Sequence, residues 1–551
     1  MSTRAVDQPD GSPGAVAGPV GSVGGVVADW LLEFARIAPD RPAVVDEAGT
    51  RWTFAELAAA ARRLALGLDA AGVRAGDRVA ALLADGAPFV ALVHATRRLG
   101  AVLVPLNRRA TAAELGPQLA AAGGRILVCD DTTAVTARAA AAVAAAAAGI
   151  GPGGAAGGKA DRAAGPPVLG VDEIDRLSAR PDHGAPGRLR EAVELEAPAT
   201  IVFTSGTSGR PKGAILSHGN HRASATAWAA FLEPRPSDRW LACLPFYHVA
   251  GLAMIDRTAR WGVPLVVHRR FEAAAVARAL VEDEVSHLSL VATMLRALLE
   301  VDGGRPVPAT LRAILLGGGP TPAPLVLEAA GRGFPVVPTY GLTETASGVV
   351  ALPAAEAAFR PGSAGRPLPG VELAIRLESR DARRREARPG EIGEVGEILV
   401  RGPIVFVGYD RRPAETTAAL AGGWLRTGDL GSIDEAGCLT VVDRRDDLVV
   451  SGGENIYPAE IEAVLLAHAA VEDAAVVARP DARWGSVPVA AVVARPGCSI
   501  DPAELAAHCR ARLAAYKVPV AFQPVAALPR SAGGKLLRRE VRAMITDGDD
   551  A

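Results

Sequence analysis

Lysine is almost missing from this chain. Of 59 basic residues only four are lysine, namely Lys159, Lys212, Lys517 and Lys535. Where a lysine persists against such a bias, a compact point charge matters more than a planar fork. Lys159 sits in an Ala/Gly-rich stretch and carries little weight, whereas the other three lie in segments that stand out on other grounds. Cysteine is scarce too: Cys129, Cys243, Cys438, Cys498 and Cys509 form no C-x-x-C pair. That argues against a disulfide framework or a paired-cysteine zinc site and fits the reducing cytoplasm. No uninterrupted apolar run reaches the roughly 18–20 residues of a spanning helix, so no membrane span is expected. The formal net charge of -2 gives no reason to expect nucleic acid or an anionic membrane as partner. Neither a G-x-G-x-x-G after a strand nor a G-x-x-x-x-G-K-[ST] occurs, so the common dinucleotide and NTPase readings lose support. Residues 1–25 lack a basic start followed by an apolar block, and a disordered tail is expected there in place of a signal peptide.

What is present is a large globular composition. The chain has 551 residues, 49% hydrophobic and 22% charged, which is too long for one ordinary core. "TFAELAAAARRLALGLDAAG" opens with Thr53 and Glu56 in capping-box spacing and continues as an amphipathic helix. Apolar runs such as "RVAALLA" and "AVLVPLN" alternate with helical stretches, which predicts parallel strands with crossover helices, an α/β fold. Residues 139–168 are nearly all Ala and Gly; the Ala block can be helical for a turn or two, and the Gly-Pro part is expected to form a surface insertion. Residues 371–442 read as an antiparallel β subdomain. Past a hinge at 444–447, residues 448–551 read as a small α+β domain following a large one at 26–443.

"TSGTSGRPKG", Thr204 to Gly213, joins two apolar runs through glycines, hydroxyls and one of the few lysines. Glycines let backbone N–H groups approach an anion, hydroxyls donate to it, and Lys212 neutralises it, so the segment suits phosphate. Together with "LPFYHVAG", "LLGGGPTP", "TYGLTETAS", "GWLRTGDLG", "DRRDDLVVSGGENIYPAEIE" and "LPRSAGGKLLRRE", all in order, it resembles the adenylate-forming superfamily of acyl- and aryl-CoA synthetases, adenylation domains and luciferases. The resemblance runs from about residue 28 to 545 and omits only the tail and the Ala/Gly insertion.

That resemblance implies an enzyme using ATP, Mg²⁺ and coenzyme A on a small carboxylic acid. Its fold would be a large N-terminal domain of parallel and mixed sheets with a β subdomain, plus a mobile C-terminal domain. Thr204, Ser205, Gly206, Thr207, Ser208, Gly209 and Lys212 would hold the departing phosphates of ATP. Gly317, Gly318 and Gly319 would lie flat against the base, with Tyr340 stacking on it and Gly341 beside it. Glu344 would ligate Mg²⁺, and Thr343 would contact the α-phosphate or the acid. Asp429, helped by Arg444, would take the ribose hydroxyls. Lys535 would bridge the carboxylate and α-phosphate, where charge gathers in the transition state. His248 would line or gate the acyl pocket. Asp446 would be the hinge about which Ser451, Gly452, Gly453 and Trp484 are brought to coenzyme A. Lys517 matches a family position with no role assigned.

Within the superfamily the wording is most like the ligases acting on o-succinylbenzoate in menaquinone biosynthesis. That acid keeps a second carboxylate, for which His221 and Arg222 are the candidate donors. A broader medium-chain acyl- or aryl-CoA synthetase and an enzyme loading a separate carrier protein stay open beside it, as does a homo-oligomeric state.

Overall fold

The computed structural model describes residues 25–147, 165–178, 189–204, 211–319, 321–377, 388–389, 392–444, 447, 449–451, 454–456, 458–481, 484–513, 515–530, 534 and 536–546. The expected N-terminal tail, apart from Gly25, lies outside them. Two large sheets form the first domain. One has seven strands, ordered Gly408–Tyr409, Lys212–Ser217, Pro198–Thr204, Val102–Pro105, Arg78–Leu82, Ile126–Cys129 and Val168–Gly170. Its first two pairings are antiparallel and the rest parallel. The other has nine strands, with Val336–Leu342, Ala313–Leu316, His287–Leu290, Trp240–Ala242 and Leu265–Val267 adjacent and parallel at its centre.

One core cluster draws on both sheets and on the helices Ala87–Leu99 and Val249–Trp261. Nearly every residue of those two helices is buried, as expected of helices covered on all sides. Their charged residues must therefore find partners inside, and Arg97 of the first pairs with Asp256 of the second. The capping box read from Thr53 and Glu56 is formed, each accepting a backbone N–H of the other (3.2 and 2.8 Å), and opens the helix Phe54–Ala70.

The Ala block at the start of the Ala/Gly stretch is helical, and for more than the expected turn or two. A helix Ala134–Ala147 runs into it, and Ala140 and Ala144 are buried in a core cluster together with Leu115 and Leu119 of the helix Ala112–Ala122. Alanine is the best helix former and small enough for close packing, so the stretch is structure up to that point. Residues 148–164 lie outside the described residues.

An antiparallel sheet built from strands between Glu372 and Arg444 follows the two large ones. A separate sheet then begins at Val449–Ser451 and includes the long hairpin Val471–Asp481 to Gly485–Ala494 and the strand Ala521–Pro524. It has its own core around Val476, Ala490, Leu465 and Cys509. No helix among the described residues is long and apolar enough to cross a membrane.

Candidate active site

The hairpin from Pro198–Thr204 to Lys212–Ser217 sets Thr204 opposite Lys212. Ser205, Gly206, Thr207, Ser208 and Gly209, in the loop between, lie outside the described residues. Across the ladder Ala214 faces Tyr409. The Lys212 ammonium stands 5.2 Å from the centre of the Tyr409 ring, a favourable cation–π distance. The Tyr409 hydroxyl donates to Glu344 Oε1 at 2.7 Å, and the Phe406 N–H donates to the Glu344 carbonyl at 2.8 Å.

Glu344 belongs to the single 3₁₀ turn Thr343–Thr345 that ends the strand Val336–Leu342. The chain leaves this turn under strain, with φ of 51° at Ala346 and 127° at Ser347. Such conformations cost non-glycine residues about 1–3 kcal/mol and persist only where neighbours hold them. Here the Ser224 hydroxyl donates to the Ala346 carbonyl at 3.2 Å and lies 2.9 Å from the Ser347 hydroxyl. Arg257 donates to Ser347 Oγ at 2.8 Å. Its guanidinium is buried between the rings of Trp228 and Trp240, and burial pulls its pKa down to about 9.

Tyr340, on the same strand, donates its hydroxyl to Asp429 Oδ2 at 2.8 Å. Asp429 is buried, its N–H bonds Thr427 Oγ1 at 3.0 Å, and it faces Arg444 across the ladder. The Arg444 side chain and all of Asp446 lie outside what is described. At Gly341 a Cβ would sit 2.1 Å from the Ser347 carbonyl oxygen, so only glycine lets this bulged strand close on its neighbour.

Gly317, Gly318 and Gly319 follow the adjacent strand Ala313–Leu316, and Gly318 faces Val291. Gly534 adjoins the same valine and Thr293, a Cβ there falling 3.9 and 3.8 Å away. The small domain thus reaches the glycine turn at the residue before Lys535, which itself lies outside the described residues.

His248 caps the helix Val249–Trp261 without a side-chain cap bond, and its buried Nε2 has no partner among the described residues. Burial first, and then Arg109, lower its pKa to about 4, so it is neutral at pH 7. The segment before it is pinned by Asp85, which accepts the Phe246 N–H at 2.9 Å and whose pKa burial raises to about 6.

His221 and Arg222, the candidate donors to a second carboxylate, already have neighbours of their own. His221 is buried, with Nε2 2.9 Å from Thr200 Oγ1 and Nδ1 3.0 Å from Asp256 Oδ2. Against the upward push of burial, Arg97 and His221 hold the Asp256 carboxyl below the usual carboxylate range. Arg222 lies over the Trp30 ring.

In the small domain Ser451 pairs with Gly485, next to Trp484, which is 47% exposed where a structural tryptophan would be covered. Gly452 and Gly453 lie outside the described residues. Lys517 binds both oxygens of Glu460 at 2.8 and 2.7 Å, tying its turn to the helix Pro458–Leu466. Tyr409, Arg257 and Ser224 were not singled out from the sequence. Tyr409 could have been found by the argument applied to lysine, since the chain has only five tyrosines.

The chain belongs to the AMP-binding enzyme family: its residues 31–410 match the AMP-binding enzyme model and residues 460–535 that of the AMP-binding enzyme C-terminal domain. It is 40% identical over 517 residues to the 2-succinylbenzoate–CoA ligase of Geobacillus kaustophilus (strain HTA426), covering 94% of this chain and 98% of that one. Among solved structures it resembles o-succinylbenzoate CoA synthetase (MenE) of Bacillus subtilis in complex with the acyl-adenylate intermediate OSB-AMP, with a TM-score of 0.82 at 38% identity over 94% of this chain and 98% of that one. The complex of the same enzyme with ATP and magnesium ion gives 0.81 at 38% identity, over 94% and 100%.

Proposed function

We propose that the chain is an ATP-dependent acid–CoA ligase that works through an acyl-adenylate, with o-succinylbenzoate as its acid. The observation that carries this is a set of contacts, of Tyr409 with both Lys212 and Glu344, and of Tyr340, just before Glu344 in the chain, with Asp429, in a chain so similar along its length to 2-succinylbenzoate–CoA ligase.

A carboxylate is a poor electrophile, because its oxygens share the charge and no good leaving group is present. In the first half-reaction a carboxylate oxygen attacks the α-phosphorus of ATP, and the bond to the β-phosphate breaks, releasing pyrophosphate. In the second, the coenzyme A sulfur attacks the acyl carbon, the bond to AMP breaks, and the thiol proton is lost. Thr204 to Lys212 hold the β- and γ-phosphates. Asp429, oriented by the Tyr340 hydroxyl, receives the ribose, and Gly317–Gly319 pass beside the base. Thr343 contacts the α-phosphate or the acid.

Among the described residues no group of three or more His, Cys, Asp or Glu side chains could hold a metal by themselves. Glu344 is one hard oxygen ligand close to the phosphate lysine, which fits Mg²⁺, an ion that keeps waters and phosphate oxygens around it. When bound, the ion neutralises charge on the phosphates. Lys535 stabilises the charge that gathers between carboxylate and α-phosphate, a role supported by Gly534 adjoining Val291, the residue that Gly318 faces. His248, neutral at pH 7, lines the acyl pocket as an uncharged group.

Asp446 serves as the hinge, a reading supported by one sheet ending at Arg444 and the next beginning at Val449. Rotation there presents Ser451, Gly452, Gly453 and Trp484 to coenzyme A. The enzyme works in the cytoplasm on small molecules.

The test is pyrophosphate release with ATP and Mg²⁺, with and without coenzyme A, over o-succinylbenzoate, benzoates and C4–C16 fatty acids. CoA-dependent turnover confined to o-succinylbenzoate is expected. Preference for another acid would overturn the substrate, and adenylation without CoA-dependent turnover would favour a carrier protein as acceptor.

A further inference from the structure

The two Glu344 oxygens are not equivalent. Oε1 already accepts the Tyr409 hydroxyl at 2.7 Å, a hydrogen bond strengthened by the carboxylate charge, and Oε2 is the oxygen with no partner among the described residues. Tyr409 is held in place from several sides. Its strand is hydrogen-bonded to Lys212–Ser217, and its own N–H donates to Thr416 Oγ1 at 2.9 Å. The next residue, Asp410, takes a two-pronged grip from Arg78 at 2.8 and 2.6 Å and donates its N–H to the Gly213 carbonyl at 2.8 Å. Phe406 packs edge-on against the ring, its centre 4.8 Å away, while its N–H holds the Glu344 carbonyl. Phenol and carboxylate are therefore fixed to each other through two separate backbone anchors.

The two metals that most readily accompany nucleotides ask different things of a carboxylate. Mg²⁺ demands a near-ideal octahedron with short bonds and takes one oxygen from a protein carboxylate. Ca²⁺ is larger, accepts more ligands, and readily takes both oxygens of one carboxylate. We propose that Tyr409 is a positioning residue that occupies one Glu344 oxygen, makes Glu344 a one-oxygen ligand, and so favours Mg²⁺ over Ca²⁺ at the nucleotide site. The same ring faces the Lys212 ammonium, so one side chain sets the geometry of the phosphate cation and of the metal ligand together. The inference rests on Glu344 being the metal ligand, as assigned above.

The experiment uses full-length enzyme with α,β-methylene-ATP, which cannot transfer its adenylyl group, and Mn²⁺ followed by electron paramagnetic resonance. Mg²⁺ and Ca²⁺ are then titrated as competitors. In Tyr409→Phe the ring over Lys212 remains and only the hydroxyl is lost. The ratio of Mg²⁺ to Ca²⁺ competition constants should move toward Ca²⁺ by about tenfold, the size of one hydrogen bond to a charged group. A ratio within about twofold of the parent overturns the proposal. Tyr409→Leu also removes the ring and should, in addition, weaken nucleotide binding itself. Should Tyr409→Phe fold poorly, Tyr409→Trp, which keeps an aromatic face and lacks the hydroxyl, must show the same shift toward Ca²⁺. Glu344→Gln separates the two readings. If it leaves Mn²⁺ binding intact, the assignment of Glu344 fails; if it abolishes binding while Tyr409→Phe leaves the ratio unmoved, only the role of Tyr409 fails.

Discussion

Gly341→Ala adds one methyl group and should nearly silence the first half-reaction. The new carbon would lie 2.1 Å from the Ser347 carbonyl oxygen and 2.6 Å from the Gly348 Cα. A tolerable carbon–oxygen contact is about 3.3 Å, so the strands Val336–Leu342 and Ser347–Ala351 must part by about 1 Å at this point. Both neighbours are backbone atoms, so no side-chain rotation relieves the clash. Thr343 and Glu344 come next in the chain, and their turn is pinned on its far side by Ser224 and Arg257. The displacement therefore falls on the groups that meet the phosphates. Misplacement of reacting groups by about 1 Å costs on the order of a hundredfold in rate, or about 3 kcal/mol in the barrier. Overpacking should cost a further 1–3 kcal/mol of stability, roughly. The assay is pyrophosphate release with o-succinylbenzoate, set beside thioester formation from supplied o-succinylbenzoyl-AMP. The first should fall far more than the second. A folded Gly341→Ala enzyme whose adenylation stays within about fivefold of the parent would refute the reasoning, because the turn would then tolerate a shift that the estimate says it cannot. Gly319→Ala is a useful companion. Its Cβ meets nothing within 4 Å among the described residues, so a loss there would point to the nucleotide.

Three more outcomes are expected. Lys535→Ala should cost adenylation about a hundred- to a thousandfold while sparing thioester formation from supplied acyl-adenylate, and equal losses in both would remove the assigned role. His94 is fully buried beside Phe54, Leu57, Val90 and Ile255, and neither ring nitrogen has a partner among the described residues. Burial lowers its pKa from 6.5 to about 4. Below 6.5 the unfolded chain takes a proton that the native chain refuses, so native stability is lost as pH falls from 6.5 toward 4. His94→Leu should thus be more stable than the parent in urea, by about 2 kcal/mol more at pH 5 than at pH 7.5; a pH-independent difference would contradict this. Asp256→Asn removes the charge facing Arg97 and His221 in the core and should cost about 3–5 kcal/mol by thermal or urea unfolding, whereas a loss under about 1 kcal/mol would mean that water reaches the cluster.

The segments proposed to hold the nucleotide stand out in the sequence because their chemistry constrains consecutive residues: "TSGTSGRPKG" and "TYGLTETAS" each keep their donors in one short stretch of chain. The alternation of apolar runs with helical stretches likewise carried the α/β architecture. Roles that depend on a helix face or on a distant partner were not legible. His221 and Arg222 stand together in the chain, but their helix directs one to Thr200 and Asp256 and the other to Trp30. Tyr409 is 65 residues from the carboxylate it holds, and no local pattern announces that contact. The alanine run could be read only as a turn or two of helix for a related reason. Low complexity looks like a linker until a neighbouring helix supplies a surface against which small side chains pack.

The poverty in lysine also has a practical side. An amine-reactive dye finds few side chains to modify in this protein. One of them, Lys517, is engaged by both oxygens of Glu460. Another, Lys212, stands over the Tyr409 ring, where the phosphates of ATP are proposed to bind. Coupling chemistry that would scatter over most proteins of this size would here place a reporter close to the nucleotide, and protection by ATP would reveal at once which of the few amines had reacted.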